Sequence, residues 1–281
     1  MSWLLIKFYG TIPNKFRNYI GNISWLRFIR DIVLKKHGVY REASAFVSRT
    51  YVNYDVNFKF FASIKDVSKA VDSGIENKVL NNSIKLMNDY KKQQDDCIII
   101  DVGANFGYLS LVWGTSLCQN NGKVYAFEPN INVCHSFIKS ININNLKKII
   151  KIENKAVGSE NGNVDLFINN TTSNLIKEET SSIVKTQIDV VTLDSYCIEN
   201  NIHRCDLIKI DVDGIEYDIL KGSIHTLKKF KPIFIIETNQ DERIIEFFNE
   251  SNYLVFDMDL NPYHPNAELP LNIFCIPNKI S

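Results

Sequence analysis

The spacing of apolar and polar residues changes three times along the chain, and each change predicts a different kind of element. Residues 45–65, running through Phe46, Tyr51, Tyr54, Val56, Phe58 and Phe60, alternate apolar with polar positions, the period of a β-hairpin or antiparallel strands. Asp66–Tyr90 then carries helical spacing through Val67, Val71, Ile75, Val79, Ile84 and Met87, broken at Gly74. A polar loop over Lys91–Asp96 follows, and a boundary near residue 90 divides an N-terminal extension (1–90) from a core domain (91–281). From Cys97 onward, short β-branched runs alternate with helical patterns. Strands are expected at 97–102, 123–128, 149–157, 206–211 and 232–237, with helices over Asn130–Ile141 and 241–249. Asp194 is the expected N-cap of a short helix through Glu199, Gly162–Asn169 an added antiparallel strand, and Tyr253–Phe256 with Ile273–Ile276 a closing antiparallel pair. Strands alternating with helices in this way predict an α/β fold with a doubly wound, mostly parallel sheet.

The first forty residues follow another pattern. Trp3, Phe8, Phe16, Trp25 and Phe28 are interleaved with Lys7, Lys15, Arg17, Arg27 and Arg30, and Arg27–Lys36 reads as a basic amphipathic helix. That helix is expected to cap the core domain. The alternative is that residues 1–41 touch an anionic membrane surface or a glycan-assembly complex.

Composition narrows the picture little. At 281 residues, 45% of them hydrophobic, the chain can bury a full core. The formal net charge of zero argues neither for nor against nucleic acid. Cys97, Cys118, Cys134, Cys197, Cys205 and Cys275 are scattered with no C-x-x-C pair, as for reduced, mostly buried thiols. No apolar run approaches the roughly 18 residues of a membrane span, and no charged-then-apolar leader opens the chain, so a cytoplasmic location is expected.

Candidate chemistry gathers at strand ends. Cys97–Val102 ends in Asp101 and turns through Gly103, Ala104, Asn105 and Gly107 into a helix beginning near Tyr108. Asp101 sits where open α/β sheets bind ligands. A nicotinamide loop would read G-x-G-x-x-G, whereas here the glycines are four apart and Asn105 stands where the second should be. A turn with an acid ahead of it suits a positively charged ligand; the plain alternative is a glycine turn that binds nothing. The next strand ends in Glu128 and Pro129, about 20 residues on, where a carboxylate receives a ribose diol. A third strand carries Lys209 and Asp211 and turns through Asp213 and Gly214. A lysine in a central strand is costly unless it meets a carboxylate. Glu237 ends the strand after that and joins the same cleft.

Taken in order, Asp101–Gly107, Phe127–Pro129, Val191–Asp194, Leu207–Glu216 and Ile235–Glu237 resemble the FkbM family of S-adenosylmethionine-dependent methyltransferases over about residues 75–240. The family usually has Glu where Asp213 stands here. The resemblance implies a Rossmann-like class I methyltransferase sheet and O-methylation of a sugar, glycan or related metabolite. By position, Asp101, Gly103, Asn105 and Gly107 would line the methionine end of the cofactor, with Ala104 and Tyr108 as further cofactor-binding residues. Glu128 would meet the ribose, Asn130 would lie beside the ribose and adenine, and Lys155, Ala156 and Val157 would frame the adenine, with Pro129 a further cofactor-binding residue. Asp211 would lie near the sulfonium and the acceptor as general base or orienting group, with Glu237 and His264 as further catalytic candidates. A divalent ion on Asp211, Glu237 and Asn239 is conceivable but not favoured. Two other readings stand beside the methyltransferase: a nicotinamide-dependent oxidoreductase and a non-catalytic, cofactor-binding scaffold subunit. No nucleic-acid acceptor is expected, because no basic patch with interleaved aromatics lies near the cleft.

Overall fold

The computed structural model describes residues 35–36, 39–90, 96–169, 172–174, 184–265 and 267–278. It opens with a short antiparallel pair, β1 (Lys35–Lys36) and β2 (Val39–Tyr40). The hairpin β3 (Glu42–Tyr51) and β4 (Tyr54–Ser63) follows, then helices α1 (Ile64–Asp72) and α2 (Asn77–Tyr90). The expected helix over Arg27–Lys36 is corrected at its end, where Lys35 and Lys36 pair as a strand with Val39 and Tyr40. Its other residues and the loop at 91–95 lie outside the described residues.

The core continues as β5 (Ile98–Val102), α3 (Tyr108–Thr115), β6 (Lys123–Phe127), α4 (Ile131–Ile143) and β7 (Ile150–Glu153). Then come β8 (Ala156–Val157), β9 (Gly162–Asn169), β10 (Thr172–Asn174), β11 (Val184–Val191) and α5 (Leu193–Glu199). The chain closes with β12 (Leu207–Ile210), α6 (Glu216–Lys221), α7 (Ile224–Phe230), β13 (Ile233–Glu237), α8 (Arg243–Glu250), β14 (Tyr253–Phe256) and β15 (Asn272–Pro277). Seven strands form one sheet in the order β14-β15-β13-β12-β5-β6-β7, and only β15 runs against the rest. This is the expected doubly wound, mostly parallel sheet. The chain leaves β5 toward β6 and β7 and returns on its other side as β12, so the strand order reverses between β5 and β12, where such sheets bind ligands.

Two local expectations are corrected. The run 149–157 is not one strand: β7 ends at Glu153, and Ala156–Val157 leaves to pair in parallel with β11 in a second sheet ordered β10-β9-β11-β8. Asp194 does not cap α5. Thr192, the extended residue before the helix, accepts the Ser195 N–H at 3.0 Å. The Asp194 carboxylate, already inside the helix, reaches across to the His225 and Thr226 N–H groups at 2.9 and 2.7 Å, donors left open at the start of α7.

Buried on both faces, the strands read as near-continuous apolar runs. Ile99, Val124, Leu207 and Ile233 face the hairpin and α1–α4, so the extension and the sheet share one core. Ile100, Ile208, Phe234 and Ile236 face α5–α8. Fully buried Trp113 of α3 donates its indole N–H to Ser83 of α2 at 3.0 Å. On the hairpin, Val56, Phe58, Phe60 and Ala62 alternate inward. The outer edge of β4 is covered by α4: Asn144 both accepts from the Lys59 N–H (2.8 Å) and donates to its carbonyl (2.7 Å), and Ser140 accepts from the Phe61 N–H (2.9 Å). All six cysteines are buried and unbridged.

Candidate functional site

β5 and β12 run in register, with Asp101 opposite Lys209. The two-residue period of the strand puts both side chains on the face of Ile99 and Leu207, where Asp101 is 1% and Lys209 5% exposed. The Lys209 Nζ lies 3.0 Å from Asp211 Oδ2 and 3.8 Å from Asp101 Oδ1, and it donates to the Gly103 carbonyl at 3.3 Å. Burial opposes its charge, but the carboxylates of Asp211, Asp101 and Glu76 outweigh it and hold the ammonium above its ordinary range. On Asp101, Oδ2 accepts the Ser110 hydroxyl at 2.6 Å while buried Oδ1 accepts no hydrogen bond. Burial pushes this carboxyl up, against the pull of Lys209 and Ser110.

The loop after β5 spends every one of its N–H groups inside the fold. Gly103 and Ala104 donate to the Phe127 carbonyl at 3.1 and 3.0 Å, and Gly107 donates to the Ala104 carbonyl at 2.8 Å. Asn105 donates to Glu128 Oε2 and Phe106 to Asn105 Oδ1, each at 2.9 Å. A pyrophosphate cradle needs such groups pointing outward. Gly103 and Gly107 both hold left-handed backbone, φ 76° and 77°. A Cβ at Gly103 would stand 1.9 Å from the Asp211 carbonyl oxygen, and one at Gly107 2.1 Å from the Phe137 ring. Gly107 is therefore there for packing on α4.

Glu128, just past β6, is 6% exposed, and its Oε2 and Oε1 accept from the Asn105 and Asn130 N–H groups at 2.9 and 2.8 Å. Burial pushes its carboxyl up to about 7, against the pull of those two donors. Asn130 caps α4, its side chain accepting the Asn132 N–H, and is wholly buried beneath Glu128.

These groups open onto a cavity of about 900 Å³. Of the residues expected to hold a cofactor, Asp101, Gly103, Ala104, Asn105, Tyr108, Glu128, Pro129, Ala156, Val157 and Asp211 line it, and Gly107 and Asn130 do not. Asp213 lines it as well, in left-handed backbone at φ 60°. Of the expected catalytic groups, Asp211 is on the cavity wall. Burial works to raise its carboxyl, but Lys209 and a hydrogen bond with Glu237 hold it below the ordinary range. Glu237, at the end of β13, stands behind Asp211 and is not among the lining residues; burial, then its bond to Asp211, pushes it up to about 8. Of the two carboxyls, Glu237 is therefore the one that holds a proton more tightly and Asp211 the one that ionises first. His264 lies exposed in the loop between β14 and β15, apart from the cavity. Asn239 turns its amide nitrogen to Glu216 at 2.9 Å. Among the described residues no group of three or more His, Cys, Asp or Glu side chains is arranged to hold a metal ion.

Several lining residues escape the sequence reading: Phe60 of β4, Asp66 and Lys69 of α1, Ile75 and Glu76 of the α1–α2 turn, and Leu166 of β9. The one signal near them is the break at Gly74, which marks a turn but not the direction it faces.

A model of the methyltransferase FkbM domain family matches residues 101–255. A curated relative, Methyltransferase 1 of Beauveria bassiana (strain ARSEF 2860), is 26% identical over 152 residues, covering 46% of this chain and 59% of that protein. Among solved structures, a methyltransferase FkbM from Methylobacillus flagellatus KT has a TM-score of 0.45 at 14% identity, covering 75% of this chain and 54% of that one. The N-terminal domain of human METTL16, solved in complex with SAH, has a TM-score of 0.39 at 14% identity, covering 72% and 70%. The chain thus spans less than two thirds of the length of the curated relative and of the FkbM structure.

Proposed function

We propose that this chain, which belongs to the methyltransferase FkbM family, binds S-adenosylmethionine and transfers its methyl group to a hydroxyl of a sugar, glycan or related metabolite. The observation that carries this reading is the pairing of a loop whose five N–H groups are all consumed with an acid behind it, Asp101, whose Oδ1 has no donor. Such a site is poorly made for the diphosphate of a nicotinamide cofactor and well made for a cationic nucleoside. The Rossmann-like sheet, with its single antiparallel strand β15, is the class I methyltransferase arrangement.

The lining fits the rest of the cofactor. Glu128 is held by two N–H groups with lone pairs left for a ribose diol, and Pro129, Ala156 and Val157 supply apolar walls for adenine. When bound there, S-adenosylmethionine supplies an already activated methyl group, so the protein's share is alignment and the handling of one proton. Asp211, kept ionised by Lys209 at 3.0 Å, orients the acceptor hydroxyl and takes its proton, with Glu237 hydrogen-bonded behind it. Six acids (Asp66, Glu76, Asp101, Glu128, Asp211 and Asp213) against three lysines (Lys69, Lys155 and Lys209) line the cavity. That balance favours a polyhydroxyl acceptor over a polyphosphate.

Calorimetry with S-adenosylhomocysteine and with NAD separates the readings. Binding of the first and not the second is expected, with Asp101→Ala losing it; binding of NAD alone would overturn the assignment. Labelled S-adenosylmethionine added to a glycan extract should then label a sugar. Cofactor binding without transfer to any acceptor would instead favour the scaffold reading.

Glu128 makes the affinity depend on pH. The diol donates to the ionised carboxylate, so affinity for S-adenosylhomocysteine is expected to climb as pH rises through about 7 and then level off, and Glu128→Gln should flatten the curve. For folding the sign is opposite. With its pKa raised from 4.5 to about 7, Glu128 contributes stability that is present below pH 4.5 and lost as pH rises through about 7.

A further inference from the structure

We infer that Glu76, carried on the turn between α1 and α2, is a cofactor-binding residue that holds the α-ammonium of the methionine moiety. The inference rests on the S-adenosylmethionine reading and extends it to a residue upstream of the matched family domain, which begins at Asp101.

The turn is built to place this side chain. Gly74 and Glu76 hold left-handed backbone at φ 81° and 48°, two such residues in three. A non-glycine residue there is strained and persists only where its surroundings fix it. They do so here. Ser73 and Gly74 donate to the Lys69 carbonyl at 3.0 and 2.9 Å, Asn77 Nδ2 donates to the Ser73 carbonyl at 2.6 Å, and the Glu76 carbonyl accepts the Leu80 N–H at 3.0 Å. The result carries Ile75 and Glu76 onto the cavity wall.

No hydrogen bond or ion pair among the described residues ties the Glu76 carboxylate down, and more than a third of the residue stays open. It is nonetheless surrounded closely enough that burial, then Asp211 and Asp101, push its carboxyl up while Lys209 and Lys69 pull it down. Asp211 and Asp101 lie 3.0 and 3.8 Å from the one buried ammonium, Lys209, while Glu76 lines the same cavity without an ion pair of its own among the described residues, and Asp101 Oδ1 accepts no hydrogen bond. S-adenosylmethionine has two cationic centres, the sulfonium and the α-ammonium. Its α-carboxylate is answered by Lys69, which lines the same cavity and acts on Glu76. The sulfonium belongs beside Asp211, where the acceptor hydroxyl must also reach. That leaves the free carboxylate of Glu76, with the open oxygen of Asp101, for the ammonium.

Two ligands isolate the contact. S-adenosylhomocysteine has the amino-acid end, whereas 5′-methylthioadenosine keeps the adenine, ribose and thioether and lacks it. By calorimetry, Glu76→Gln is expected to weaken S-adenosylhomocysteine about 10- to 100-fold, the range of a hydrogen bond to a charged group, and to leave 5′-methylthioadenosine within about twofold. Glu76→Gly relieves the left-handed strain and controls for folding; it should show the same selective loss without a lower melting temperature. Equal loss of both ligands, or loss of neither, would overturn the assignment. Failure of the wild-type chain to bind either ligand is a distinct result that overturns the cofactor reading itself.

Discussion

Replacing Asp211 with Asn is expected to lower kcat by about 100- to 10,000-fold, the usual contribution of a positioned general base, while affinity for S-adenosylhomocysteine stays within a few-fold. The Asp211 backbone carbonyl fills the space beneath Gly103 and is unaffected by the change. Its side chain lies 3.0 Å from the Lys209 ammonium and hydrogen-bonds Glu237, two partners that keep it ionised near neutral pH. Asparagine can keep an oxygen toward Lys209 but cannot accept the acceptor's proton. Single-turnover methyl transfer, read beside calorimetry, separates the two roles: a large loss of rate at preserved affinity assigns proton transfer to Asp211. A loss of affinity with little change in rate would leave it as a binding group only.

The second large effect is on stability. Lys209→Met is expected to cost about 3–5 kcal/mol, since removing one member of a buried ion pair leaves the other charge without compensation. Here two charges are left, because Asp101 at 1% exposed and Asp211 on the cavity wall share the ammonium. Without it each carboxylate is pushed upward by burial and by the other. In the variant their folded pKa values exceed the unfolded ones, so its deficit should shrink as pH falls and the pair takes up protons. Thermal melts of wild type and variant at pH 5 and pH 8 test this. A deficit that does not change with pH would mean that the methionine fails by packing and not by charge.

Much of the sheet and one wall of the site were legible in the sequence for a common reason. A parallel strand buried on both faces must be apolar and stops where the chain meets solvent or ligand, so Asp101, Glu128 and Asp211 announce themselves as acids closing apolar runs. Lys209 could be read as paired because a lone charge at a central strand position is too costly. The opposite wall follows no such rule. Phe60 is an inward residue of an alternating strand like Phe58, and only the packing of the hairpin on the sheet makes it line a cavity. Glu76 sits in a short polar break indistinguishable from any exposed turn, and its direction is set by two left-handed residues. Gly107 and Asn130 belong to the right motifs, yet the first makes room for Phe137 and the second lies under Glu128, because a motif fixes backbone shape before it fixes what touches a ligand. The departure of Ala156–Val157 from the main sheet is likewise a matter of partner choice with β11, which local pattern does not encode.

Helix α4 has a mechanical consequence. At one end its capping residue Asn130 donates to Glu128. Midway Phe137 occupies the slot left by Gly107, and at the far end Ser140 and Asn144 hold the backbone of β4. A single rod thus braces Glu128 against the hairpin that bears Phe60. Swinging that hairpin outward like a flap would strand backbone donors and an acceptor and drag on the floor under Glu128. The wall of the hollow that bears Phe60 is in this way fastened to the same rod as the floor at Glu128.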